Sequence, residues 1–159
     1  MKKAMLGVLL ILSLVAMFPR EASAAGPFNF YVRSGVLTDQ HFTFDPFLWT
    51  IGANLDLNLG SVLMLSPECD VIVYKFHFTP VWLAPAVTLN FRASAFYAGG
   101  GIGKFLVIGS GYTLSSDFLL KLNAGFKTDS FKLQAYLWTP LSSDAFSYMI
   151  FGATLGFGF

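Results

Sequence analysis

His41 lies between Asp39 and Asp45, and Ser115-Ser116-Asp117 closes a later polar stretch. A histidine set beside carboxylates can take a proton from a hydroxyl, so these residue types could carry nucleophilic acyl transfer. Their spacing matches no acyl-transfer motif, and Ser, Asp and His are also ordinary loop residues. The sequence therefore predicts no catalytic residues. His41 and His77 lack the ligand cluster of a metal centre and read as solvated loop histidines. The glycine-rich run Tyr97-Ala98-Gly99-Gly100-Gly101-Ile102-Gly103 opens no helix, so it is not a dinucleotide fingerprint. No cofactor and no metal are expected. Cys69 is the single cysteine, which excludes an intrachain disulfide, and its place between Pro67 and Val71 makes it a small apolar residue rather than a reactive thiol.

The elements that must position these residues follow from composition. Lys2 and Lys3 precede the apolar stretch Met5 to Phe18, and Ala22-Ser23-Ala24 supplies small residues before Ala25. This is the pattern of a cleaved, helical secretory signal over residues 1–24, with Ala22, Ala24 and Ala25 forming the cleavage site. The mature chain would then be residues 25–159, one domain of 135 residues. It carries seven Lys+Arg against eight Asp+Glu, with no basic stripe for a nucleic acid. Only 15 of those 135 residues are charged, well below the roughly 25% usual in soluble domains. Yet no mature segment reaches the ~20 apolar residues of a spanning helix. A hydrophobic exported chain without a helical span fits one spanning architecture, a closed barrel whose backbone groups pair between strands.

Alternation supplies the strands. Eight segments read with period two: about Pro27 to Val36, Phe47 to Leu59, Val62 to Val73, Trp82 to Phe91, Phe96 to Val107, Phe118 to Phe126, Phe131 to Thr139, and Phe146 to Phe159. The second is the cleanest, with Trp49, Ile51, Ala53, Leu55, Leu57 and Leu59 opposing Thr50, Gly52, Asn54, Asp56 and Asn58. Pro67 and Pro85 each remove a ladder donor and should mark a bulge or a weakly paired site. In the fifth segment the glycines blur parity, and Phe105 and Val107 are placed outward with Lys104 inward. Tight connections at Gly60-Ser61, Arg92 to Ala95 and Lys127 to Ser130 alternate with longer ones at Leu37 to Pro46, Tyr74 to Val81, Ile108 to Asp117 and Pro140 to Ala145. The expected fold is an all-β, eight-stranded antiparallel up-and-down transmembrane barrel.

Volume decides which face is out. An eight-stranded barrel has an interior just wide enough for side chains, and the many Phe and Trp rings of the apolar face would not fit there. The apolar face therefore points to lipid, and Trp49, Trp82, Trp138 and Tyr148 are expected in an aromatic belt near the outer strand ends. Arg33, Asp56, Glu68, Asp70, Lys104, Lys121 and Lys132 then share the lumen. Unpaired buried charges are expensive, so these seven should form a paired polar core that plugs the barrel. An ion path lined by the same charges is the alternative.

These patterns resemble the small OmpA/OmpX-like outer-membrane β-barrels of Gram-negative bacteria, most sharply in Tyr97 to Gly103 and in the terminal Leu155-x-Phe157-x-Phe159. The resemblance implies that Leu155, Phe157 and Phe159 are a membrane-insertion signal read by the outer-membrane assembly machinery. It also implies a monomer surrounded by outer-membrane lipid and lipopolysaccharide. The rather short outer loops and the lack of an appended domain depart from the family. The leading functional expectation is a non-enzymatic structural or surface-interaction barrel. A small channel or conduit for a solute or lipid is the alternative. A lipid A-modifying enzyme using His41 and a loop serine is the third reading.

Overall fold

Successive side chains leave opposite sides of an extended chain, so the alternating segments can bury one face only by closing a sheet on itself. The computed structural model describes residues 27–44, 48–74, 77–142 and 146–159. The predicted signal segment with Ala22, Ala24 and Ala25 lies outside them, as do Asp45, Pro46 and Phe47. Ten strands are described: β1 Phe28–Asp39, β2 Leu48–Leu59, β3 Leu63–Tyr74, β4 His77–Ala93, β5 Phe96–Gly103, β6 Leu106–Gly109, β7 Tyr112–Ser115, β8 Leu119–Lys127, β9 Phe131–Pro140 and β10 Ile150–Gly158.

Every pairing is antiparallel, and β1 pairs with both β2 and β10. The ring runs β1-β2-β3-β4-β5-β8-β9-β10 and returns to β1, which makes the chain a closed eight-stranded barrel. β5 and β6 are two halves of one stave. Both pair with β4 in a single register, Ala86 opposite Gly103 and Leu83 opposite Leu106. β6 then turns into β7 at Ser110-Gly111, with Gly109 opposite Tyr112 and Gly111 at φ 84. This hairpin lies against β4 from Val81 to Leu83.

The two faces separate as chemistry requires. Phe28, Phe91 and Phe157 point outward at 62%, 64% and 57% exposure, whereas Tyr31, Asp56 and Lys121 point inward at 0%. A continuous apolar exterior around a polar interior inverts a water-soluble protein and suits a hydrocarbon surrounding.

Both prolines act at the ladder. The β2–β3 register skips from Asn54–Glu68 to Leu57–Leu65, and the missing pairs are those opposite Pro67 and Ser66. Pro67 thus weakens pairing without shifting register; the β3–β4 register shift falls instead between Ile72 and Tyr74. Pro85 lies opposite the Lys104–Phe105 break between β5 and β6 and retains only its carbonyl, which accepts the Lys104 N–H at 3.2 Å. Across that break, Lys104 and Phe105 face three residues, 116 to 118, because Gly103 pairs with Leu119 and Leu106 with Ser115. One extra residue on that side is a bulge.

Several sequence expectations change here. The stretch Tyr74 to Val81 is mostly strand, since Tyr74 pairs with His77 and β4 begins there. Ile108 to Asp117 is the β6–β7 hairpin rather than an open loop. In both places a ladder partner satisfies backbone groups that a loop would leave to solvent. The last connection is longer than expected, because β10 begins at Ile150. Phe146, with φ 70, turns its N–H onto Thr139 Oγ1 at 2.7 Å and cannot continue a strand.

The parity of the fifth stave is the reverse of the expectation. Phe105 packs against the interior cluster, and Val107 lies opposite Trp82, itself paired with the buried Ile72. Lys104 faces the outside, its Nζ 5.7 Å from the Phe118 ring. Gly99, Gly101 and Gly103 are the inward residues, so small that they left no apolar or polar signature to read. At Gly101 an added Cβ would stand 1.9 Å from the Val87 carbonyl oxygen, so the close approach of β4 and β5 requires glycine there.

Candidate functional site

Among the described residues, the lumen is the one place where charged side chains converge, and they do so in two levels. Nearer the tight turns, Asp56 accepts from Lys132 Nζ at 2.7 Å, Lys127 Nζ at 3.0 Å, Asn54 Nδ2 at 2.8 Å and Ser66 Oγ at 2.7 Å. In mid-barrel, Arg33 donates from Nε and Nη2 to the two oxygens of Asp70 at 2.8 and 2.7 Å, the planar fork that suits a carboxylate. Its Nη1 reaches Gln134 Oε1 at 2.8 Å and also Glu68. Lys121 completes the level by pairing with the other Glu68 oxygen.

Aromatic faces line the same cations. Lys121 Nζ lies 4.1 Å from the Tyr136 ring centroid and 5.0 Å from that of Trp138, and Lys132 Nζ lies 4.9 Å from that of Tyr97. A desolvated ammonium over such a ring gains about 2 kcal/mol. Lys121 therefore sits at a boundary. On its far side Leu37, Ile72, Ala84, Ala86, Tyr136 and Trp138 form an apolar cluster that caps the ion pairs toward the loop end.

The structure brings together Arg33, Asp56, Glu68, Asp70, Lys121 and Lys132. Lys104 is not among them, because the glycine stripe puts the odd residues of its stave inward. Lys127 takes a place that sequence reasoning missed, having put it in a turn. β8 runs on to Lys127, and the alternation Lys121, Asn123, Gly125, Lys127 was the signal available. Trp138 likewise leaves the expected outer belt: it points into the lumen and is 2% exposed. Trp82, across from Ile72, stands at the mouth, whereas Trp49 stays on the outer side with its Nε1 donating to Ser34 Oγ at 2.6 Å.

The loop residues are not assembled for catalysis among the described residues. His41 is exposed, with Nδ1 3.5 Å from Asp39 Oδ2. Ser115 and Ser116 spend their hydroxyl protons on the backbone carbonyls of Ser116 and Asp117, at 3.1 and 2.7 Å. Neither serine hydroxyl bonds to His41. No three His, Cys, Asp or Glu residues among those described group together as metal ligands. Cys69 faces outward from β3.

The closing strand places Leu155, Phe157 and Phe159 on the outer face. The Phe157 ring meets Phe131 edge-on at 6.4 Å, and the Phe159 N–H donates to the Phe30 carbonyl at 3.0 Å. The last residue thus extends the β1–β10 seam.

No family model matches the chain, and no curated protein matches it significantly in sequence. Solved structures similar to it are small membrane barrels. A de novo designed transmembrane β-barrel shares 8% identity at TM-score 0.50, covering 85% of this chain and 98% of the other. The N-terminal β-barrel domain of Pseudomonas aeruginosa OprF shares 13% at TM-score 0.49, covering 82% and 97%. Neisserial surface protein A shares 9% at TM-score 0.47, covering 84% and 95%. At these identities the likeness concerns the fold. Fold, apolar exterior and ion-paired interior together define a small eight-stranded transmembrane β-barrel.

Proposed function

We propose that this chain is an integral outer-membrane β-barrel protein with a structural or surface-interaction role, and that its lumen is a polar plug rather than a passage. The observation that carries the reading is the two-level ion network under an apolar cap, in which Asp56 and Lys121 have no exposed surface. Every carboxylate in it is met by a cation, which stabilises register but leaves no free charge row for a permeating ion to follow. Residues 1–24 serve in this reading as the export signal, and the mature barrel sits as a monomer in outer-membrane lipid and lipopolysaccharide, with no nucleic-acid partner. Reconstitution in planar bilayers is expected to give no steady unitary conductance at moderate voltage. Sustained openings in the pure protein would instead favour the channel reading.

Leu155, Phe157 and Phe159 are proposed as the segment read by the outer-membrane assembly machinery. Their exposed apolar edge at the closing seam supports this, since it is available before the ring closes. Phe159→Ala is expected to lower the amount recovered in the outer-membrane fraction several-fold, while the purified variant still folds in detergent micelles. Equal recovery of variant and parent would remove the terminal aromatic from that role.

A further inference from the structure

Among the described residues the barrel wall is incomplete at one corner. The β8–β9 ladder stops at Leu119 opposite Pro140, and β7, which continues the line of β8 past the bulge, pairs among them with β6 alone. Between β7 and the end of β9 the described residues consequently form no ladder. Behind this gap lies a cavity of about 140 Å³ lined by Phe105, Leu119, Trp138, Pro140, Tyr148 and Ile150, together with Ser116 and Thr139. Phe105 and Trp138 pack at 5.3 Å between ring centroids and form its inner wall. Ser116 offers it little polarity, because its hydroxyl already accepts the Phe105 N–H at 2.9 Å and donates to the Asp117 carbonyl.

We infer that this corner is a binding slot for one hydrocarbon chain of a membrane lipid, entering sideways through the gap between β7 and β9. Its size suits an apolar segment, since an apolar cavity of roughly 150 Å³ stays dry and accepts a benzene-sized guest. The choice of a bilayer lipid rests on continuity. The surfaces flanking the gap are Phe118, Leu141 and Tyr148, exposed at 56%, 58% and 55%, and they prolong the lipid-facing exterior up to the opening. Outside the same bulge, Lys104 points outward beside Phe118 and makes no ion pair among the described residues. An outward lysine on an apolar wall takes a lipid phosphate readily, with its stem lying along the hydrocarbon. The slot and Lys104 therefore match the two ends of one phospholipid.

The inference rests on the membrane reading, and the test separates the two. The Trp49→Phe/Trp82→Phe protein, with Trp138 as its sole tryptophan, is refolded into phosphatidylglycerol vesicles whose acyl chains are brominated. A companion Trp82→Phe/Trp138→Phe protein reports from Trp49 on the outer wall. Quenching of Trp138 comparable to that of Trp49, and relieved by the cavity-filling change Ile150→Phe, is the expected result. Should Ile150→Phe fail to fold, Leu119→Phe fills the slot from the opposite side. Quenching of Trp49 without Trp138 would overturn the slot and leave the barrel in its bilayer. Quenching of Trp138 that neither filling change relieves would overturn it too, as mere proximity through the wall. Absence of quenching at both would overturn the membrane reading and the slot with it.

Discussion

Arg33→Ala is expected to destabilise the barrel by about 3–5 kcal/mol, the cost of breaking a buried ion pair by removing one partner. Arg33 is the only cation on Asp70 among the described residues, and it also holds Gln134 and one oxygen of Glu68. Without it, Asp70 keeps a negative charge at a buried position with no cation beside it among the described residues, while Glu68 retains Lys121. Urea unfolding in lipid vesicles would show the loss as a lower midpoint. The size of the effect separates a pair that is locked in place from one that water already reaches, because a solvated pair contributes only about 0–1 kcal/mol. The double change Arg33→Met/Asp70→Asn removes both charges and leaves the Glu68–Lys121 pair intact. It should recover most of the lost stability, since exchanging a buried pair for neutral groups of similar volume is often neutral. If the single and double variants unfold at the same midpoint, the stranded charge is not the cause.

Asp56→Ala should cost a similar amount by the opposite imbalance. Among the described residues Asp56 is the one carboxylate paired with both Lys127 and Lys132, and it also accepts from Asn54 and Ser66. Its removal leaves two ammonium groups buried side by side, where like charges repel more strongly than in water. Lys132→Met added to Asp56→Ala is expected to restore part of the stability by removing one of them. Lys127→Met alone should be mild, because Lys132 still pairs with Asp56. An additive double variant, in which the two losses simply sum, would count against the coupling.

Much of this was open to reading from residue types alone. β2 and β10 alternate so strictly that their inner and outer faces could be assigned without coordinates, and the count of large rings on one face forced it outward. What escaped reading has a common physical origin in missing or ambiguous side chains. Gly99, Gly101 and Gly103 carry no side chain to mark a face, so the parity of their stave was inverted and Lys104 was counted with the wrong set. Lys127 sits at a strand end, where turn and strand chemistry look alike. The β6–β7 hairpin could not be anticipated because its length is set by the break at Pro85 and the extra residue opposite it. The apolar cap combines Leu37, Ile72 and Trp138 from three different strand ends, and only the register brings them to one level. Sequence also gave no sign of the incomplete corner, which depends on where β9 stops relative to β7.

The seam between the first and last strands has a kinetic meaning. Val32 pairs with Phe157, so the contact that closes the ring joins residues from nearly opposite ends of the described chain. Until that contact forms, β1 and β10 are open edges able to pair with another polypeptide. Joining distant segments carries the largest loop-closure entropy in the molecule, and folds built on such pairings form slowly. Closure must wait for β10, so the chain carries two unsatisfied edges until that strand docks. The barrel's freedom from exposed edges is thus a property of its finished state only. Before closure the same architecture is at its most aggregation-prone, because both edges can still pair with strangers.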